Sequence, residues 1–591
     1  MSYFDYPVES KTLLRKKLKI KNELLSRGGF IEKRIAVLGG STTNEIVDQL
    51  ELFLLNYGIK PVFYQSEYAQ FWQDAVFGNE ELDSFDPDIV YIHTNWRNIT
   101  AFPCVSDSKE DADRLLEDTF AHFAVMWDKL NEKFNCPVIQ DNFDRPAFRL
   151  LGSSDISDYR GRTNFISRLN QKMYDYSQAN KSFYINDVDF LAACYGLEGW
   201  SNPLYWHMYK YSLCLDAVPL LAKSVADIIK SIYGKNKKVL VCDLDNTLWG
   251  GVVGDDGVEG IQIGPEVPVG QIYSEFQQYI KELKSIGILL AVNSKNDEEN
   301  ALAGLNHPDS SLKPDDFASI KANWNNKDMN MKSIAAQLNL GADSFVFIDD
   351  NPAEREIVKQ ANLGVSVPEM DRVENYLRMI DRSGFFEVTS LTNDDLSRAE
   401  MYKANARRVQ LQENTGSFED FLKSLEMKAQ IREFEPVYIQ RIAQLTNKSN
   451  QFNLTTLRCS ESDIKMMQMS EDYICLYGKL EDKFGDNGVV SVVSGQIEGE
   501  ELHMRLWLMS CRVLKRGMED AMLDALAGDA KDKGLSSIIG YYYPTPKNNM
   551  VRDFYSRMGF SKVSEDEDGN TVWKLNLDSY EKKNPSIEII R

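Results

Sequence analysis

Histidine is nearly missing from this chain, with five in 591 residues, too few for a His-rich metal centre. The eight cysteines are scattered and include no C-x-x-C pair, which leaves neither a zinc site nor a disulfide framework. No stretch approaches the ~18 uninterrupted apolar residues of a membrane span, and the N-terminus has no apolar signal-peptide core. Positive charge is scarce as well: 67 Lys and Arg stand against 89 Asp and Glu, a net charge of −22. Nucleic acid is therefore excluded as an expected partner, because phosphate binding needs clustered Lys and Arg. Together these absences predict a reduced cytoplasmic protein with no membrane partner. An acidic protein partner could dock only through a local basic patch.

What the chain has is ample core material, 43% hydrophobic with 26% charged, at a length that suggests three or four domains. Its most informative stretch is KKVLVCDLDNTLWGGVVGDDG, Lys237 to Gly257. Val239 to Val241 read as a buried strand, so Asp243 and Asp245 fall just past its carboxyl end, where open α/β sheets bind ligands. Side chains two apart on an extended segment point the same way. One carboxylate can then attack a phosphoryl or acyl centre while the other handles the proton, and together they attract Mg²⁺, a hard cation.

Three further strand ends follow in order. IGILLAVNSKN brings Ser294 and Lys295 to a carboxyl end, suited to holding a phosphoryl oxygen. KANWNNKDMNMKSIA supplies a cation, Lys327 or Lys332, and SFVFIDDNPAERE ends a strand with Asp349 and Asp350. Asp350 is the preferred metal ligand, with Asp349 beside it and Asn351 and Glu354 as support. A lone D-x-D is a weak signal; four correctly ordered strand-end motifs are a strong one.

These motifs resemble the haloacid dehalogenase (HAD) superfamily, and their wording, DLDNTLWGGVVGDDG with NWNNK and FIDDNPAERE, is similar to its FkbH-like branch, subfamily IIIC. The resemblance implies a Mg²⁺ site of Asp243, Asp245, Asp349 and Asp350, and catalysis by Asp243, Asp245, Ser294, Lys295 and Lys327. It also implies a glyceryl-type transfer from a phosphorylated three-carbon metabolite to the phosphopantetheine thiol of an acyl carrier protein, with loss of phosphate. A plain phosphatase on a small phosphorylated metabolite and a non-catalytic carrier-binding scaffold are the alternatives. About 50 residues separate Asp243 from Ser294. They hold a loop, one helix and one strand, which leaves no room for a cap domain. Trp249, Gly250 and Gly251 would shape the mouth of the site, and Cys242 reads as core.

The expected organisation is a multidomain α/β protein: a basic helical arm over 1–30, an α/β domain over 31–235, a capless HAD-like Rossmannoid domain over 236–380, a linker with a helix over 381–415 and a last α/β domain over 416–591. The arm, ESKTLLRKKLKIKNELLSR, reads as a solvated helix covering the next domain. In the second segment, Ser41 after RIAVLGGS and Asn95 after DPDIVYIHTN resemble the nucleophile and oxyanion-hole positions of SGNH-type esterases. The partner histidine would be His207, which has Leu204 where the orienting aspartate belongs, so this SGNH-like domain is expected to lack a working triad. Cys194, Trp200 and Trp206 read as core.

The last segment, from SVVSGQIEG through CRVLKRGMEDAML to VRDFYSRMGF, resembles an N-acetyltransferase (GNAT) fold, with Asn549 and Tyr555 in support. In that fold a loop before a helix cradles the pyrophosphate of coenzyme A. Arg512, Lys515, Arg516 and Gly517 occupy that loop here. Lys515 stands where the family has its first glycine, so the basic turn is expected to meet either coenzyme A or a carrier's phosphopantetheine phosphate.

Overall fold

The computed structural model describes residues 3–591 apart from 414, 416, 450, 546 and 585. Residues 414 and 416, at the expected linker boundary, thus lie outside the described residues. The chain forms two compact units, Met1–Ile232 and Tyr233–Arg591.

The first unit is built on five parallel strands, β1 Ile31–Gly39, β2 Ile59–Gln65, β3 Ile89–His93, β4 Val138–Asp141 and β5 Phe183–Asn186, in the order β2-β1-β3-β4-β5. Strands β3 and β4 are buried along their whole length, as expected for a parallel sheet covered on both faces. Strand order reverses between β1 and β3, which places a switch point at the carboxyl ends of those two strands. The basic arm is the helix Ser10–Leu25. It buries Leu13, Ile20 and Leu24 and pairs Lys17 with Asp48 and Lys21 with Glu51 of the helix Asn44–Asn56.

Asp144, just past β4, is 2% exposed and accepts a hydrogen bond from the Trp96 N–H at 3.0 Å. Burial pushes its carboxyl up to about 6, and the Trp96 N–H offsets only part of this. An unfolded aspartate ionises near pH ~3.9. Between those values the native state alone holds the proton, so this residue's contribution to stability falls as pH rises through the window and stays low above it. Asp144→Asn keeps the acceptor without the charge. It is expected to raise stability by ~2–3 kcal/mol at pH 7.5 and to be neutral below pH ~4. Urea midpoints at the two pH values check this; a loss at pH 7.5 would contradict it.

The second unit holds two sheets. Four parallel strands, β6 Val239–Cys242, β7 Leu289–Ser294, β8 Phe317–Ala322 and β9 Phe345–Ile348, run in the order β8-β7-β6-β9. All four residues of β6 are buried, Cys242 among them. Between β6 and β7 the longest helix is Pro268–Ser285, which buries Tyr273, Phe276 and Ile280 and sets Phe276 edge-on against Tyr376. The other sheet has eight strands: β10 Lys428–Glu433, β11 Tyr473–Asp482, β12 Gly485–Glu498, β13 Glu501–Met509, β14 Ser537–Tyr542, β15 Ser561–Glu565, β16 Thr571–Asn576 and β17 Glu588–Ile590. Its core centres on Trp507, Met518, Met522, Phe554 and Tyr555.

The segment expected as a linker is packed. Tyr402 is buried, and Arg408 makes a bidentate pair with Asp482 of β11 at 2.7 and 2.8 Å.

Candidate active site

Register alone assembles the site. Cys242 of β6 lies opposite Val292 of β7 and Ile348 of β9, so the next residues, Asp243, Asn293 and Asp349, emerge at one level from three adjacent strand ends. The Asp243 N–H donates to the Ile348 carbonyl at 2.9 Å, which carries the pairing one residue further.

Lys327 opens the helix Lys327–Leu338 and reaches back beneath the strand ends. Its Nζ lies 2.8 Å from Asp243 Oδ1 and 2.5 Å from Asp349 Oδ2, with side-chain exposures of 2%, 11% and 0%. Burial disfavours the ammonium, but the two carboxylates outweigh it and hold the lysine above its ordinary value. Asn293 braces this arrangement, donating to the Lys327 carbonyl at 2.9 Å and accepting from Asn330 at 3.1 Å. The other candidate, Lys332, points elsewhere and pairs with Asp328 at 58% exposure.

Asp243, Asp349 and Asp350 each bring a carboxylate oxygen to within 4.8 Å of the others. Burial, then the neighbouring Asp243 charge, pushes the Asp349 carboxyl up to about 6 and raises Asp350 as well. Three carboxylates share one lysine here, so negative charge is in excess, and the donors are all hard oxygens. That donor set fits Mg²⁺ or a similar hard divalent cation.

Asp245, expected among the metal ligands, is not part of this carboxylate group. Its Oδ1 accepts from Trp249 Nε1 at 2.9 Å and from the Val253 N–H at 3.0 Å, and its Oδ2 accepts from Asn296 Nδ2 at 3.0 Å. Three donors fix it while burial raises its pKa, which suits a group that gives and takes a proton. Trp249 is fully buried and serves this carboxylate rather than lining the mouth. Gly251, at φ 92°, turns the loop so that its N–H meets Asn246 Oδ1 at 3.0 Å.

Among the described residues the Ser294 hydroxyl, at the end of β7, has no protein partner. Lys295 is drawn aside to Glu354 at 2.7 Å, and Asn351 caps the following helix by accepting from the Ala353 N–H at 2.9 Å. Three contributors escape a reading of the sequence. Thr247 Oγ1 accepts from the Asp350 N–H at 3.2 Å, Asn296 holds Asp245, and Arg355 Nη1 donates to the carbonyls of Asp349 and Asp350, both at 2.8 Å.

The basic turn of the last domain is divided: Lys515 is exposed, whereas Arg516 is turned inward. Arg516 is 6% exposed and donates to Asp482 at 3.3 Å, to Asn405 at 2.6 Å and to the Arg512 carbonyl at 2.7 Å. Lys515 and Gly517 both hold positive φ, 63° and 80°, in the turn that starts the helix Met518–Asp532. Strands β13 and β14 pair only over Glu501–His503, and beyond that the chain fills the gap itself. Leu454 N–H donates to the Trp507 carbonyl, Met509 N–H to the Phe452 carbonyl and Tyr543 N–H to the Leu454 carbonyl, at 2.9–3.1 Å. A ligand arm seeking those edge groups of β13 finds them taken.

Arg512 instead borders a cavity of about 310 Å³ that Lys238, Arg398, Arg441, Lys448 and Lys547 also line. Asp343 and Asp394 are the acids on its wall. Burial drives Lys448 down to about 8 and Arg441 down to about 10.

The description "FkbH, N-terminal domain" matches residues 34–230. The crystal structure of the N-terminal part of the protein BF1531 from Bacteroides fragilis, which contains a phosphatase domain and is complexed with Mg, is 31% identical at a TM-score of 0.59. The match covers 65% of this chain and 99% of that one. The chain belongs to the FkbH-like family. Two acetyltransferases match about a quarter of the FkbH-like chain. The ribosomal-protein-S18-alanine N-acetyltransferase of Escherichia coli is 13% identical at a TM-score of 0.21, with 25% of this chain and 94% of that one covered. The PaiA N-acetyltransferase of Thermoplasma acidophilum, solved with coenzyme A, is 15% identical at 0.20, with 25% and 99% covered. Scores this low do not define the fold of that segment. No curated protein matches the sequence. Among the described residues no helix is long and apolar enough to cross a membrane.

Proposed function

We propose that this FkbH-like chain is a Mg²⁺-dependent phosphatase of the haloacid dehalogenase type, acting on a small phosphorylated metabolite. The observation that carries the reading is Asp243, set at a strand end between Lys327 and the Asp349–Asp350 pair. Asp243 attacks the phosphorus, and the bond to the leaving oxygen breaks. Asp245 gives its proton to that oxygen, then takes one from the water that opens the aspartyl-phosphate, releasing phosphate and restoring the Asp243 carboxylate and the Asp245 acid. Lys327 holds Asp243 in place, and the free Ser294 hydroxyl donates to a phosphoryl oxygen. Asp243, Asp349 and Asp350 would hold the cation, which offsets the charge of the phosphoryl group when bound. Chelation with EDTA is expected to stop phosphate release from an acyl or sugar phosphate, and added Mg²⁺ to restore it. Turnover that persists in EDTA would count against the reading.

We further propose that this chemistry serves glyceryl-type transfer from a phosphorylated three-carbon metabolite to an acyl carrier protein, with phosphate lost. Family resemblance supports this part, and so does the uncapped site, which bears Trp324 at 70% exposure just past β8 and suits a substrate presented by a macromolecule. The surplus of cations around the 310 Å³ cavity supports a phosphopantetheine phosphate as the anion received there, within a chain of net charge −22. On this reading the cavity, and not Lys515 and Arg516, receives the phosphate, and the outer segments are SGNH-like and GNAT-like. Lys547→Glu is expected to weaken binding of a phosphopantetheinylated carrier by ~1–3 kcal/mol, the worth of one or two charge-assisted hydrogen bonds. Calorimetry with carriers bearing and lacking the phosphopantetheine arm measures it; equal affinity for both would place the phosphate elsewhere.

A further inference from the structure

The sequence offers Ser41 a histidine, His207, that lacks an orienting aspartate. His207 lies on the short helix Pro203–Tyr209, which buries none of its residues. At the switch point of the first unit stands His93 instead, the last residue of β3. Its Nδ1 is 2.6 Å from Asp141 Oδ2, and its Nε2 is 2.8 Å from Ser212 Oγ. Asp141, the last residue of β4, is fully buried and is fixed by two more donors, Tyr91 OH at 2.9 Å and Asn186 Nδ2 at 2.6 Å. A carboxylate can only accept, so Nδ1 carries the ring proton and Nε2 offers its lone pair to Ser212. Ser41 Oγ donates to Ser212 Oγ at 3.3 Å, and this leaves the single hydroxyl proton of Ser212 for His93.

We propose that Ser212, His93 and Asp141 form a second catalytic site, independent of the phosphoryl site, that transfers the acyl group of small esters or thioesters. Three strand-end or loop groups in acid–base–nucleophile order meet the geometric requirement for an activated serine. They lie where ligands of an open parallel sheet bind, beside the reversal between β1 and β3. Ser212 Oγ attacks the acyl carbonyl carbon while its proton passes to His93 Nε2. The tetrahedral adduct then expels the alcohol or thiol, which leaves with that proton, and water releases the acid from the acyl-serine by the same route in reverse. Asp141 touches no reacting atom; it is a positioning residue for the ring. The Asn95 amide donates to Asn98 Oδ1 at 3.1 Å and its oxygen accepts from the Arg97 N–H, which leaves one amide N–H uncommitted among the described residues. Ser212 is 8% and Ser41 2% exposed, so the acyl groups admitted are small.

The test uses the full chain carrying Asp243→Asn, so that the phosphoryl site contributes no hydrolysis. Two readouts are taken: hydrolysis of p-nitrophenyl acetate, and labelling by a fluorophosphonate, in which Ser212 Oγ displaces fluoride and leaves a peptide mass shift. Labelling is expected on the Ser212 peptide. Ser212→Ala is expected to remove it and to lower ester hydrolysis at least ~100-fold. His93→Gln should slow both by a similar factor, and Ser212→Cys, which preserves the site's size, should retain a nucleophile that iodoacetamide blocks. Three outcomes overturn the proposal: no labelling of the folded chain, labelling on Ser41 or elsewhere, or labelling and hydrolysis that His93→Gln leaves unchanged in a variant with native circular dichroism.

Discussion

Phosphate release is expected to fall by ~10⁴-fold or more in Asp243→Asn, while the far-ultraviolet spectrum and melting temperature stay close to those of the parent chain. The amide is a poor nucleophile, and it also removes one of the three carboxylates that would hold the cation. The fold should survive, because the Asp243 backbone bond to Ile348 does not depend on the side chain. Relief of charge crowding around Asp349 offsets the lost pairing with Lys327. A variant that keeps turning over would remove Asp243 from the chemistry, whatever its place in the site.

Lys327→Met is expected to have the largest effect on stability. The lysine and Asp349 are sealed from solvent, with side-chain exposures of 2% and 0%, and Asp243 is nearly so. Removing one partner of a buried ion pair leaves charge without compensation, at a cost of ~3–5 kcal/mol. The sign of the pH dependence follows. Once the cation is gone both carboxylates bind protons more tightly in the folded state, so acid neutralises them and the deficit shrinks as pH falls. Urea midpoints at pH 7.5 and pH 5 should therefore show a larger loss at the higher pH, and phosphate release should be lost as well. A deficit of the same size at both values would mean that the lysine acts by packing alone.

The site's skeleton is legible in the sequence because it is carried by chain ends of strands. A short apolar run followed by Asp243, Ser294 or Asp349 identifies both the strand and its catalytic end, and parallel register then brings these residues together. The motif favours Lys327 over Lys332, and the physical basis is three-dimensional: both lie in one helix, where Lys327 reaches Asp243 and Asp349 while Lys332 pairs with Asp328. Asn296 and Thr247 are too short and too ordinary to stand out. Their roles come from distances of 3.0 and 3.2 Å to groups 51 and 103 residues away.

The outer segments show the reverse difficulty. His93 sits in VYIHTN among apolar residues and reads as part of a core strand, whereas His207 lies near an expected motif but on a short helix that buries none of its residues. Arg516 looks like a free cation in a basic turn, yet Asp482, 34 residues earlier, turns it inward. A local pattern reports which residue types are near one another along the chain. It does not report which distant carboxylate claims a given cation.

Asp243 is expected to become phosphorylated during turnover, and chemical trapping captures that bond. The chain is mixed with Mg²⁺ and an acyl or sugar phosphate, quenched within the first turnover and reduced with borohydride, which converts an aspartyl-phosphate to homoserine. Peptide mass analysis is expected to find homoserine at position 243 and unmodified aspartate at 245, 349 and 350. Unmodified aspartate at 243 during demonstrable phosphate release, or homoserine at one of the other three positions, would contradict it.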